Sequence, residues 1–238
     1  MLSLARKLGL APLLIAQAIR TRRRAPVLPE AAGPREGRAG RGEGGVIRVL
    51  VVGDSSAAGV GVGHQDQAVV GHLVRTLAAE RNGQIEWRLR AKSGLRTREV
   101  HAMLVADPPP PADVAVVVTG VNDVIDQVSA WRAVKHRAAL ADWLLAQGIV
   151  RHVVFAPLPP MHQFPLLPEP LRRVVGDDAR RHDQALARWT ATRADVSHAR
   201  ITLELTPQTM ASDGFHPGEP VYRACGEALG LHVARAAA

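Results

Sequence analysis

At 238 residues the chain is long enough for one substantial α/β core, and nothing in its length requires a second. The formal charge of +8 sits at one end: residues 1–45 hold nine Lys/Arg against three Asp/Glu, or +6, leaving +2 for the other 193 residues. A nearly neutral body with only 3% aromatic residues excludes nucleic acid as the expected partner. One cysteine, Cys225, rules out an internal disulfide and a Cys-based metal cluster, and its helix-like setting reads as a small buried residue.

The first segment, "MLSLARKLGLAPLLIAQAIRTRRR", is apolar from Leu8 to Ile19, interrupted by Pro12 and closed by Arg20, Arg22, Arg23 and Arg24. That run falls short of the roughly 20 apolar residues a membrane-spanning helix needs. An arginine cluster follows it, where a secretory signal would have a small-residue cleavage site. Residues 1–24 therefore predict an amphipathic helix that packs on the body or makes peripheral contact with an anionic membrane. The expected location is cytoplasmic, with membrane association through this helix; an exported form stays open. Residues 25–45, rich in Pro, Gly and charge, read as a linker or an extended surface segment, and the main domain as 46–238.

From there apolar runs alternate with helical patterns. Strands are expected at Val46–Val52, Ile85–Arg90, Val114–Thr119, Val150–Ala156 and Arg200–Leu203. Helices are expected near Gln67–Arg81, Thr97–Val105, Ser129–Gln147, Leu171–Ala194 and Glu219–Arg235. This alternation predicts an α/β fold with a parallel sheet covered on both faces, and ligands at the carboxyl ends of its strands. The proline-rich loop 157–170, with Met161, His162, Phe164, Leu166 and Leu167, lies at that end and reads as a pocket wall or a cover for the sheet edge.

The loops after the strands carry the chemistry. In "GDSSAAGVGVG", Ser55 sits where a serine caps a following helix, and the glycines suggest a phosphate cradle. However, the spacing matches neither a dinucleotide fingerprint nor a P-loop, and Ala57 breaks the Gly-x-Ser-x-Gly elbow. Gly94 follows the second strand, Gly120, Asn122 and Asp123 follow the third, and Asp213 and His216 precede the last helix. The Asp/His pair lacks a third ligand at metal spacing, although His64, His72 and His162 remain available. Together these loops offer a hydroxyl nucleophile, an imidazole base, a carboxylate to orient it and donors for an oxyanion.

"GDSS" at Gly53–Ser56, Gly94, "GVND" at Gly120–Asp123 and "DGFH" at Asp213–His216 resemble, in order and spacing, the four blocks of the SGNH (GDSL-type) hydrolases. The resemblance spans about Val46 to Ala238 and departs at Ser56, where the family usually carries Leu or Tyr. It implies a three-layer, flavodoxin-like α/β/α sandwich on a five-stranded parallel sheet. It also implies a serine carboxylesterase with Ser55, Asp213 and His216 as catalytic residues and no cofactor or metal. The oxyanion donors would be the backbone N–H groups of Ser55 and Gly94 and the side-chain amide of Asn122. Asp54 and Asp123 are expected to hold the loops by accepting backbone N–H bonds. The small Ala57, Ala58 and Gly59 leave room for substrate, and short-chain acyl esters are the expected small-molecule substrates. Lysophospholipid, thioester and carbohydrate acetyl ester chemistry are the alternatives within the family. Outside it stand an anion-binding module and a membrane-surface module; the oligomeric state is left open.

Overall fold

A computed structural model of the protein describes residues 4–42 and 44–236. An N-terminal helix α1 (Leu4–Arg24) and a short strand β1 (Glu36–Ala39) precede the alternating core. The core runs β2 (Gly44–Gly53), α2 (Val69–Arg81), β3 (Gly83–Ala91), α3 (Thr97–Ala106), β4 (Val114–Val118), α4 (Val121–Ile125) and α5 (Ala130–Ala146). It closes with β5 (His152–Phe155), α6 (Leu171–Thr190), β6 (Val196–His198) and α7 (Glu219–Ala236).

The sheet order is β1-β3-β2-β4-β5-β6, in which five strands are parallel and β1 runs antiparallel at the edge of β3. Side chains alternate across a strand, and both faces of β2 are buried: Val49 and Val51 enter one core cluster, Leu50 and Val52 the other. The first cluster lies under α2 and α7; the second lies under α3 and α5 with Leu186 of α6. Because β2 pairs with β3 on one side and β4 on the other, the chain reverses its winding direction there. The carboxyl ends of β2 and β4 therefore flank the crevice where such sheets bind ligands.

The expected α/β/α sandwich stands, with four differences of detail. Residues 25–45 are not a free linker: Glu36–Ala39 pairs with Ile85–Arg88, and the ion pairs Arg38–Glu86 and Arg88–Glu36 place its charges across the strand. The last strand is at 196–198 and not at Arg200–Leu203, because the more apolar stretch is used for packing. Ile201 joins the first core cluster, and Leu203 and Leu205 join a third at the carboxyl end of the sheet. Helix α6 ends at Thr190, four residues early, where Thr190 Oγ1 donates back to Ala187 O. A 3-10 turn at Gln65–Gln67 precedes α2, and no helix directly follows Ser55.

Helices α2 and α7 pack unusually close because α7 presents glycines to α2. A Cβ on Gly226 would lie 2.5 Å from His72 Cβ and 2.7 Å from Val69 O, and one on Gly230 2.8 Å from Leu73 O. Gly226→Ala must push the helices apart, which overpacking data put at about 1–3 kcal/mol. The expected result is a lower urea midpoint and a melting temperature reduced by about 2–4 °C per kcal/mol. An unchanged midpoint would mean that the two helices slide without cost.

Candidate active site

The loop that carries Ser55 leaves the centre of the sheet. β2 ends at Gly53, the Asp54 N–H donates to Val118 O on neighbouring β4 (3.2 Å), and residues 54–62 continue as turns. Ser55 caps no helix; it stands half-buried at the carboxyl end of β2. The loop is held from outside. Ala58 O accepts from Ala31 N (3.2 Å) and from buried Gln65 Nε2 (3.0 Å), and Val60 O accepts from Tyr222 Oη (2.7 Å).

Across the crevice, the segment before α7 carries Asp213 and His216. Asp213 Oδ1 accepts the backbone N–H groups of Phe215 and His216, both at 2.9 Å, which folds the four residues into a tight turn. Its Oδ2 lies 2.6 Å from His216 Nδ1, and His216 Nε2 lies 3.0 Å from Ser55 Oγ. A carboxylate only accepts, so Nδ1 carries the proton and the Nε2 lone pair accepts from the serine hydroxyl. Burial alone would raise the Asp213 carboxyl, but the hydrogen bonds from the His216 ring and from the backbone N–H groups outweigh it and hold the pKa below the ordinary value.

Gly94 follows β3 and Asn122 lies in the first turn of α4, just beyond β4, so Ser55, Gly94 and Asn122 occupy the same ends of three adjacent strands. Asn122 Nδ2 donates to Leu95 O (3.0 Å), which ties the loops after β3 and β4 together and leaves its second amide hydrogen available.

Beneath these loops lies a buried polar layer. Asp123 Oδ2 accepts from Thr97 Oγ1 (2.5 Å) and Thr97 N (3.3 Å), and Asp54 Oδ1 accepts from Ser56 N (3.0 Å). Asp54 thus ties down its own turn, and Asp123 ties the loop after β4 to the start of α3. Sequence reasoning missed the cation below them: Arg137 of α5, fully buried, donates from Nη2 to Thr119 O (3.4 Å). Gly120 makes room for it, since a Cβ there would lie 1.9 Å from Arg137 Nη2, and its φ of +123° suits only glycine. The sequence signal was an arginine at an otherwise apolar position of a helix.

Sequence reasoning also missed the brace from the presumed linker. Glu30 Oε1 accepts from Ser93 N (2.7 Å), next to Gly94, and Glu30 is paired with Arg35, whose Nη1 donates to Ala91 O (2.6 Å). The small residues after Ser55 serve packing and do not provide substrate room, because Ala57 and Ala58 are fully buried in the core. A cavity of about 70 Å³ opens instead beside Ser55 and His216, walled by Phe164, Leu203, Leu205, Met210, Val221 and Cys225 among others. Of the 157–170 loop, Pro157, Pro159 and Phe164 reach it; Met161 and Leu167 are buried in the adjoining cluster, and His162 is exposed. Burial pushes the Cys225 thiol up to about 12, so it offers no thiolate. Among the described residues no group of three or more His, Cys, Asp or Glu is arranged to hold a metal ion.

A doubly wound α/β sandwich with a serine, histidine and aspartate linked at the carboxyl ends of its strands is the architecture of a carboxylic ester hydrolase. The profile of the GDSL-like lipase/acylhydrolase family matches residues 51–224, and the chain belongs to that family. It is 26% identical to a GDSL-like esterase of Mycobacterium tuberculosis, over 94% of this chain and 76% of that one. The fold is similar to that of a carbohydrate esterase of family 3 from Talaromyces cellulolyticus (TM-score 0.59, 13% identity, 80% of this chain and 98% of that one). It is also similar to that of a lipase/acylhydrolase from Enterococcus faecalis (TM-score 0.58, 15% identity, 79% and 96%).

The buried layer has a pH signature. Burial pushes the Asp54 carboxyl from 3.8 up to about 7; Asp123 adds to this, while the Ser56 N–H and His216 oppose it. Between about pH 4 and 7 the unfolded chain ionises this group while the folded chain keeps its proton, so this contribution to stability falls as pH rises. Asp54→Asn does not titrate. Its stability relative to wild type should improve by up to about 4 kcal/mol across that interval, read from urea midpoints. A pH-independent difference would show that Asp54 ionises normally in the folded state.

Proposed function

We propose that the protein is a serine carboxylesterase that cleaves short-chain acyl esters through an acyl-enzyme on Ser55. The observation that carries this reading is the unbroken chain of contacts from Asp213 through His216 to Ser55 Oγ, at 2.6 and 3.0 Å. Ser55 Oγ attacks the ester carbonyl carbon as its proton passes to His216 Nε2. The negative charge that forms on the carbonyl oxygen meets the N–H groups of Ser55 and Gly94 and the amide of Asn122. When the tetrahedral adduct collapses, the C–O bond to the alcohol breaks, and the leaving oxygen takes the proton from Nε2. Water then repeats the sequence in reverse roles, giving the carboxylic acid and free Ser55. Asp213 keeps Nδ1 protonated and stabilises the imidazolium while it exists.

The cavity supports a short acyl group. At roughly 10–15 Å³ for each water, 70 Å³ is room for about five to seven waters. Its apolar walls favour an alkyl chain, but a volume this small argues against the long chains of lysophospholipids.

Hydrolysis of p-nitrophenyl esters from acetate to decanoate should be fastest at the short end. Ser55→Ala should reduce turnover to background with the circular dichroism unchanged, and activity surviving in that variant would refute the serine mechanism. Asn122→Ala should lower kcat by about 10²–10³-fold with little change in KM. A normal kcat in that variant would remove Asn122 from the oxyanion site.

A further inference from the structure

Helix α1 touches the body along one stripe. Leu10, Ala11, Leu14, Gln17 and Thr21, spaced three and four apart, are its half-buried positions. Leu14 packs against the cluster that contains Phe164, Leu205 and Met210 of the cavity wall. Gln17 fixes the contact through both ends of its amide, donating to Glu169 O (2.6 Å) and accepting from Leu171 N (3.2 Å).

Among the described residues the opposite face has no partner in the fold. Eight large apolar side chains are exposed among the described residues, and four belong to this one short segment: Leu13 (47%), Ile15 (59%), Ile19 (49%) and Val27 (98%). Ile15 and Ile19, four apart, form an outward ridge with Pro12 and Ala16 beside it, and Arg20 follows, with Arg22, Arg23 and Arg24 in the last turn. Among the described residues no acidic side chain lies within ion-pair distance of any of these four arginines. An apolar ridge beside an arginine cluster matches the layered chemistry of an anionic bilayer surface, acyl boundary below and phosphates above. Among the described residues no helix is long and apolar enough to cross a membrane, so the fitting geometry is helix in plane.

We propose that α1 docks the protein on an anionic lipid surface, with Ile15 and Ile19 entering the interface and the four arginines engaging lipid phosphates. Docking in this way holds the loop that ends at Glu169 and Leu171, from which Phe164 walls the cavity, next to the bilayer. This assignment does not depend on the serine mechanism.

The test is co-sedimentation of the full chain with phosphatidylcholine vesicles, with and without phosphatidylglycerol, at low and high salt. Binding is expected only with phosphatidylglycerol, weakening as salt rises. R22E/R23E/R24E should lower the affinity by about 100-fold or more. I15N/I19N should lower it by about tenfold or more. Both variants should keep the wild-type melting temperature and turnover of a water-soluble ester, which separates lost docking from lost folding. Three results would overturn the proposal: no sedimentation of wild type at low salt, unchanged binding in either variant, or wild-type binding to polyglutamate in preference to the vesicles. The last would identify an acidic protein as the partner.

Discussion

The contact between His216 Nε2 and Ser55 Oγ joins residues 161 apart in the chain, and the packing of the core is the constraint that brings them together. Closing a flexible loop of that length costs on the order of 4–5 kcal/mol in chain entropy, while one neutral hydrogen bond returns about 1 kcal/mol. The contact therefore cannot assemble the site; the core must do so. It does this through two buried layers on either face of β2 and through the tight packing of α7 on α2, which delivers the 213–216 turn to the end of the central strand. The linked geometry of Asp213, His216 and Ser55 is a by-product of packing that is stable without it.

Directly below, the protein buries charge. Asp54 and Asp123 are both inaccessible to solvent, and Arg137 beneath Gly120 is the cation among them. Burial pulls the Arg137 guanidinium below its ordinary value against the attraction of Asp123, Asp183 and Asp54. Desolvating such groups costs several kcal/mol each, so the layer contributes little to stability. It fixes orientation instead. Asp123 grips Thr97 at the start of α3, Asp54 grips Ser56, and Arg137 grips the carbonyl before Gly120, so the loops after β2, β3 and β4 share one set of bonds. Truncating Arg137 would leave Asp123 buried without the cation that attracts it, a cost greater than that of the single bond Arg137 makes.

The elements with a single dominant physical signal were legible in the sequence. The unbroken Val/Ala run of β4 and the apolar run of β2 can only be strands buried on both faces, and the glycine and Asx residues behind them mark the site. Where two signals competed, the reading differed from the structure. Ile201, Leu203 and Leu205 look more strand-like than Val196–His198, yet they are worth more as apolar surface against α7 and the cavity than as an edge ladder. The shorter, polar β6 is tolerated because Ser197 hydroxyl meets the His152 and His232 rings at 2.9 Å. Arg137 was illegible because a charged residue in an amphipathic helix normally reads as solvated, and only the third dimension reveals the carboxylates it faces.

The largest difference concerns residues 25–45, and it follows from the nature of the loop that carries Ser55. A loop of turns from 54 to 62 has few internal bonds: Ala58 N to Asp54 O, Val60 N to Ser55 O and Val62 N to Gly59 O. Left to itself, such a segment would not hold Ser55 to the fraction of an ångström that its contact with His216 requires. The missing constraints come from segments distant in sequence: Ala31, Gln65 and Tyr222 grip the loop, while Glu30 and Arg35 grip the neighbouring 91–94 turn. A stretch rich in Pro and Gly suits that task, since it follows an irregular surface in extended form and offers its backbone groups to whatever lies beneath. Linker-like composition and a precise structural role are therefore compatible here. What distinguishes this segment from a tether is the placement of two charged side chains, Glu30 and Arg35, which bond each other and the backbone beside Gly94.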